Sequence, residues 1–198
     1  GERRTLGVGE ASIGTATALY GGRDGWETLG RALNDAARGD GSRLLALSDS
    51  YTGRHPGGTY DRQTAAFYAI GCLDGPAPQT LARAQRLARR AARVAPHFGA
   101  STAWLGLPCT YWPVPAVMRP GPVRASSAPV IVVIGNTGDP ATPYAQAQTL
   151  TRELRSARLL TYVGEGHTAY GRGNACIDAA VDRYLISRVL PASGARCG

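Results

Sequence analysis

Two residues carry the chemistry this chain can be read for: Asp139 in Gly138-Asp139-Pro140 and His167 in Gly166-His167-Thr168. Each stands in a Gly-rich break directly after an apolar run. A carboxylate that accepts from one imidazole nitrogen fixes the tautomer, and the other nitrogen can then take a proton from a nucleophile. Each residue also has a plainer reading. Asp139 in a Gly-Asp-Pro turn can bond its own backbone, and His167 can be an ordinary loop residue. Taken together, at matched positions, they read as a catalytic acid–base pair.

The elements that would position them follow from the flanking patterns. Val130 to Ile134 is five β-branched residues in a row, the mark of a strand buried on both faces of a parallel sheet. Arg158 to Val163 reads as a second strand. A helix is expected between them, about Tyr144 to Ser156, on Ala147, Leu150 and Leu154. A last helix is expected from Ala175 to Val189, with Ile177, Val181, Tyr184 and Leu185 inward. Strand–loop–helix twice over is the signature of a parallel α/β sheet, whose ligands bind beyond the carboxyl ends of the strands. Acid before histidine, one βα unit apart, is the order the α/β-hydrolase plan requires.

Upstream, the periodicity predicts helices broken by Gly-rich turns. Asp24 is a candidate cap for a stripe of Trp26, Leu29 and Leu33. Leu44, Leu47 and Tyr51 make a second face. Tyr60, Thr64, Phe67 and Tyr68 make a third, ending near Gly71. Pro78 to Ala95 is the clearest helix, with Leu81, Ala84, Ala88, Ala91 and Ala95 on one face and five arginines around the rest. Residues 96–128 hold six prolines and read as an irregular crossing. The division is therefore a helical cap or lid over 1–95, a crossing over 96–128 and an α/β module over 129–198.

Composition excludes several classes. The chain has 198 residues, 43% hydrophobic and 18% charged, without the 18-residue apolar run a membrane-spanning helix needs. The net charge is +8, and all 22 basic residues are arginine. A nucleic-acid platform would interleave aromatic residues with them. It does not, so the charge reads as genomic base composition and no nucleic-acid partner is expected. Cys72, Cys109, Cys176 and Cys197 include no C-x-x-C pair, so a zinc or thioredoxin site has no local support. Four cysteines fit two disulfides in an oxidising compartment, and their spacing leaves all three pairings open.

The two strand ends also carry a resemblance. The segment from Val130 through Gly135-Asn136-Thr137-Gly138-Asp139-Pro140-Ala141-Thr142-Pro143 resembles the acid-bearing segment of secreted tripeptidyl-aminopeptidase-like α/β hydrolases. Gly164-Glu165-Gly166-His167-Thr168-Ala169-Tyr170-Gly171 is similar to their histidine segment. Cys176, Asp178, Tyr184 and the tail from Leu190 to Cys197 look like the family's C-terminal module. Ala69 to Asp74 and Cys109 to Pro113 are similar to its cap-to-core stretch. The resemblance implies a serine peptidase of the bacterial cell exterior or envelope, cutting short peptides from substrate N-termini, without metal or organic cofactor. It implies Asp139 as the orienting acid, His167 as the base, and disulfides Cys72–Cys109 and Cys176–Cys197. On the chain-entropy model each disulfide would be worth roughly 3–4 kcal/mol.

One part of the family pattern is absent. No Gly-x-Ser-x-Gly elbow occurs, and the nearest match, around Ser12, has Glu10 two residues before the serine. The chain opens at Gly1 without Met, so it reads as the C-terminal part of a longer hydrolase. The nucleophile and the neighbouring strands would come from an upstream half, in cis or as a second chain. The alternatives are a binding protein with a remnant cleft, a recruited Ser12, or an esterase of the same superfamily. His55, His97, Glu165, Trp104, Tyr111 and Trp112 read as surface or packing residues.

Overall fold

A computed structural model describes residues 3–75, 80–118 and 121–198. The chain packs as two compact units. One comprises residues 1–15 and 38–121, and the other 16–37 and 122–198.

The first unit is helical. It holds the start of α1 (Val8–Leu19), then α3 (Ser42–Thr52), α4 (Gln63–Asp74), α5 (Leu81–Val94), α6 (Gly99–Trp104) and a 3-10 helix, Leu107–Tyr111. Thr80 caps α5 by accepting from the Arg83 N–H. Pro78, expected in that first turn, lies outside the described residues, as does Pro120. Ala84 and Ala88 are buried as the alanine stripe predicts, and the five arginines face solvent. Other faces differ from the periodicity. Phe67 and Ile70 on α4 are exposed, and the buried residue of that helix is Cys72. Tyr60 pairs with Arg54 in an isolated antiparallel bridge and is not helical. Gly99–Trp104 and Leu107–Tyr111 are helical, although the prolines around them suggest irregular chain. Pro108 is accommodated at the first positions of the 3-10 helix, where its missing N–H costs nothing. Cys72 and Cys109 are joined, with an S–S distance of 2.02 Å.

The second unit is a parallel sheet with helices. Its strands are β1 (Ile131–Gly138), β2 (Ala157–Glu165) and the short β3 (Arg196–Cys197), in the order β1-β2-β3. α7 (Tyr144–Glu153) links β1 to β2, and α8 (Ala175–Ser187) follows β2. β3 was not visible in the sequence because two residues carry no periodicity. The Cys176–Cys197 disulfide ties it to the start of α8. α2 (Arg23–Ala37) belongs to this unit, although the sequence places it with the upstream helices. Asp24 lies in its first turn and is not its cap. Trp26 and Leu33 are exposed, and the residue α2 buries is Ala32.

Ile131 pairs with Ala157, and the register runs evenly to Asn136 opposite Tyr162. Leu160, Ala169, Ile177, Val181 and Cys197 form the core, with Val132, Ile134 and Tyr162 packed against it. Leu185, placed inward by periodicity, is 65% exposed. Each four-residue step drifts about 40° round a helix, and Leu185 has drifted past the stripe of Ile177, Val181 and Tyr184. β1 is not buried throughout: Val133 is buried, whereas Ile131, Val132 and Ile134 are half-buried. Among the described residues, no strand pairs with its outer edge.

Candidate active site

The ends of β1 and β2 build the site. Beyond Asn136 opposite Tyr162 the register shifts, and Gly138 lies opposite Glu165. β2 therefore carries one residue more than β1 over this stretch. A bulge of this kind re-aims the side chains that follow it. Thr137 steadies the bulge by accepting the Gly164 N–H on its hydroxyl at 3.2 Å.

Asp139 follows directly on β1. Its Oδ1 accepts the N–H groups of Ala141 at 2.8 Å and Thr142 at 2.9 Å, and its Oδ2 accepts the Thr142 hydroxyl at 2.9 Å. This is the turn-forming role that the Gly-Asp-Pro sequence suggests. The same carboxylate also meets His167, whose Nδ1 lies 3.0 Å from both oxygens. The two readings of Asp139 are thus both realised: the turn fixes the carboxylate, and the fixed carboxylate faces the imidazole. The Asp139 side chain is only 5% exposed. Burial pushes its pKa up, but the Thr142 and Ala141 N–H groups, His167 and the Thr142 hydroxyl together outweigh it. They hold the carboxyl below its ordinary range. Asp139 is therefore ionised at neutral pH, and an ionised acceptor selects the His167 tautomer with the proton on Nδ1.

The backbone around His167 is unusual. Gly166 has φ +100° and Thr168 has φ +66°, so the histidine is flanked by two left-handed residues. A Cβ on Gly166 would approach Gly22 N and Tyr20 O to 3.1 Å. The His167 N–H donates to the Tyr20 carbonyl at 3.0 Å, and the two rings lie 4.9 Å apart. Asn136 reaches across from β1. Its Nδ2 donates to the carbonyls of Gly166 and Thr168, both at 2.9 Å. Further along, Gly171 N–H donates to Asp178, and Tyr170 O–H to Asp182, which fastens the loop to α8. A cavity of about 680 Å³ opens beside His167, with Tyr20, Arg23, Glu165 and Arg172 in its wall.

The sequence points to Asp139 and His167, and the structure brings them together. It does not point to Asn136, Tyr20 or Thr142. The available signal for Asn136 is a polar residue directly after an apolar run, which reads as the strand's end and hides its bonds to the His167 loop. Ser12 lies inside α1, five residues into the helix, and not at a strand-to-helix turn among the described residues. Ser101, in Gly99-Ala100-Ser101-Thr102-Ala103, also keeps one of the elbow's two glycines and is likewise helical, its hydroxyl donated to Phe98 O. His55 and His97 are exposed and belong to the other unit. Trp104 and Tyr111 are exposed too. Among the described residues, no group of three or more His, Cys, Asp or Glu could hold a metal ion.

Residues 95–197, just over half of the chain, match the family model described as TAP-like protein, a member of the α/β hydrolases. The chain belongs to the TAP-like family. It is 38% identical to the carboxylesterase B of Mycobacterium tuberculosis, over 98% of this chain and 38% of that protein. The same figures hold for the serine protease Hip1 of Mycobacterium tuberculosis. It is 29% identical to the tripeptidyl aminopeptidase of Streptomyces lividans, over 84% of this chain and 29% of that protein. The chain thus spans well under half the length of these curated relatives. Its parallel strands and helices are the C-terminal part of the TAP-like α/β-hydrolase fold, with a mostly helical region before it in sequence.

Proposed function

We propose that this TAP-like chain supplies the acid and the base of a serine hydrolase, and that the nucleophilic serine comes from an upstream segment of that hydrolase. That segment belongs to the same polypeptide or to a second one, and its strands pair with the outer edge of β1. The observation that carries the reading is the His167–Asp139 contact at the carboxyl ends of adjacent parallel strands.

The chemistry follows from the tautomer. With Nδ1–H held by ionised Asp139, the Nε2 lone pair takes the serine hydroxyl proton as the oxygen attacks the substrate carbonyl carbon. Asp139 stabilises the imidazolium. His167 then gives the proton to the departing amine or alcohol as its bond to carbon breaks, leaving an acyl-enzyme. Water attacks the acyl carbon, its proton passes to His167, and the acid is released as the serine regains a proton.

The substrate we favour is a peptide cleaved near its free N-terminus. Support comes from the motif resemblance and from relatives named for serine protease and tripeptidyl aminopeptidase activity. The relative named carboxylesterase B supports an ester as the second reading. The compartment we propose is extracytoplasmic, in a bacterium. Both disulfides and the absence of any free cysteine accord with it. Among the described residues no helix is long and apolar enough to cross a membrane. Residues 1–95, apart from 16–37 that pack with the sheet unit, are proposed as the lid region, 96–128 as the crossing and 129–198 as the catalytic module.

The test is kinetic. The chain joined to its upstream half is assayed on a tripeptidyl p-nitroanilide and on p-nitrophenyl butyrate. Asp139→Asn should lower kcat about 10⁴-fold and His167→Ala about 10⁶-fold. Full activity of either variant would defeat the proposal, and turnover of the ester alone would favour the esterase reading.

A further inference from the structure

Asn136 is 3% exposed, and the sequence gives it no task. One nitrogen, Nδ2, donates to two carbonyls at 2.9 Å: that of Gly166, just before His167, and that of Thr168, the residue after it. A carboxamide nitrogen carries two protons, and both are used here. Both acceptors are carbonyls, so the amide orientation is fixed by the network. The two residues so held are the two left-handed ones, and Thr168 takes φ +66° without being glycine. A β-branched residue adopts that conformation only where its surroundings impose it. Asn136 also sits at the last paired position of β1 before the register shift that leads to Asp139. It thus ties the strand that carries the acid to the backbone on both sides of the base.

We infer that Asn136 is a positioning residue, whose two hydrogen bonds hold the left-handed backbone around His167 and so keep Nδ1 on Asp139. The inference rests on the reading of His167 as the base. Few other side chains could do this from one atom. Aspartate would set a carboxylate against two carbonyls. Serine has one proton and a shorter reach. Leucine keeps the approximate shape and donates nothing.

The direct readout is the His167 tautomer, measured by ¹⁵N–¹H correlation of the imidazole nitrogens in the chain at pH 7.5. Only His55 and His97 accompany it, so assignment by substitution is simple. The wild type should show His167 with its proton on Nδ1. In Asn136→Leu and Asn136→Ser the signal should move toward the tautomer mixture expected of an exposed imidazole, while both disulfides and the circular dichroism stay intact. In the chain joined to its upstream half, the same variants should lose about 10- to 100-fold in kcat with KM within about twofold, the cost of a misplaced base. An unchanged tautomer in a folded variant would overturn the inference. So would collapse of both variants, which would make Asn136 a general stability residue. The catalytic reading fails separately: it falls if His167→Ala keeps its activity, whatever Asn136 does.

Discussion

Asp139 does two jobs with two oxygens, and its ionisation shows the balance. Hydrogen bonds from Thr142, Ala141 and His167 hold its pKa below the ordinary 3.8 despite burial. A carboxyl whose folded value is depressed adds stability at pH above its ordinary value. That stability is lost as pH falls through the folded value. Wild type should therefore be more stable than Asp139→Asn at pH 6, and the gap in Tm should close as pH drops from about 5 to below 3.8. A gap that stays constant across thermal melts at these pH values would contradict this account of the carboxylate. At this scale the proposed acid and base, Asp139 and His167, are legible in the sequence, because each is a polar residue in a Gly-rich break after an apolar run. Asn136 escapes it because its partners are backbone carbonyls 30 and 32 residues away. No side-chain pattern marks those atoms.

Among the elements, the β1–α7–β2 unit sets the site's geometry. Gly135 lies under α7, and a Cβ there would meet the Ala147 Cβ at 2.7 Å and the Tyr144 ring at 2.9 Å. Tyr144 in turn shares a hydrogen bond with Thr161 on β2 at 2.8 Å. α7 is therefore seated on both strands through the space that glycine leaves. Gly135→Ala should push the helix outward and cost about 1–3 kcal/mol, read as a lower urea midpoint with m unchanged. A midpoint equal to wild type would show that the helix does not depend on this approach. The β-branched run and the 3.6-residue spacing made these elements legible, to within a few residues at their ends. The buried faces were less legible. Bulky residues such as Trp26 and Leu33 are exposed, and small ones such as Ala32 and Ala84 are buried, so a stripe of large apolar residues does not mark the inward face here. β3 and the 3-10 helix were hidden for a different reason: each is too short to carry a period.

For the whole molecule, two units each hold one disulfide, Cys72–Cys109 in the helical unit and Cys176–Cys197 in the sheet unit. The sheet unit carries the proposed acid and base but no serine on a strand-to-helix elbow among its described residues. In the proposed enzyme the nucleophile comes from outside these 198 residues. The measurement that tests this most directly is labelling with a serine-reactive fluorophosphonate, mapped by mass spectrometry. The 198-residue chain alone, shown to be folded, should take no label. Joined to its upstream half it should be labelled at one serine, which lies in that half, and His167→Ala should abolish the label. A labelled serine within residues 1–198, or labelling that survives His167→Ala, would contradict the account.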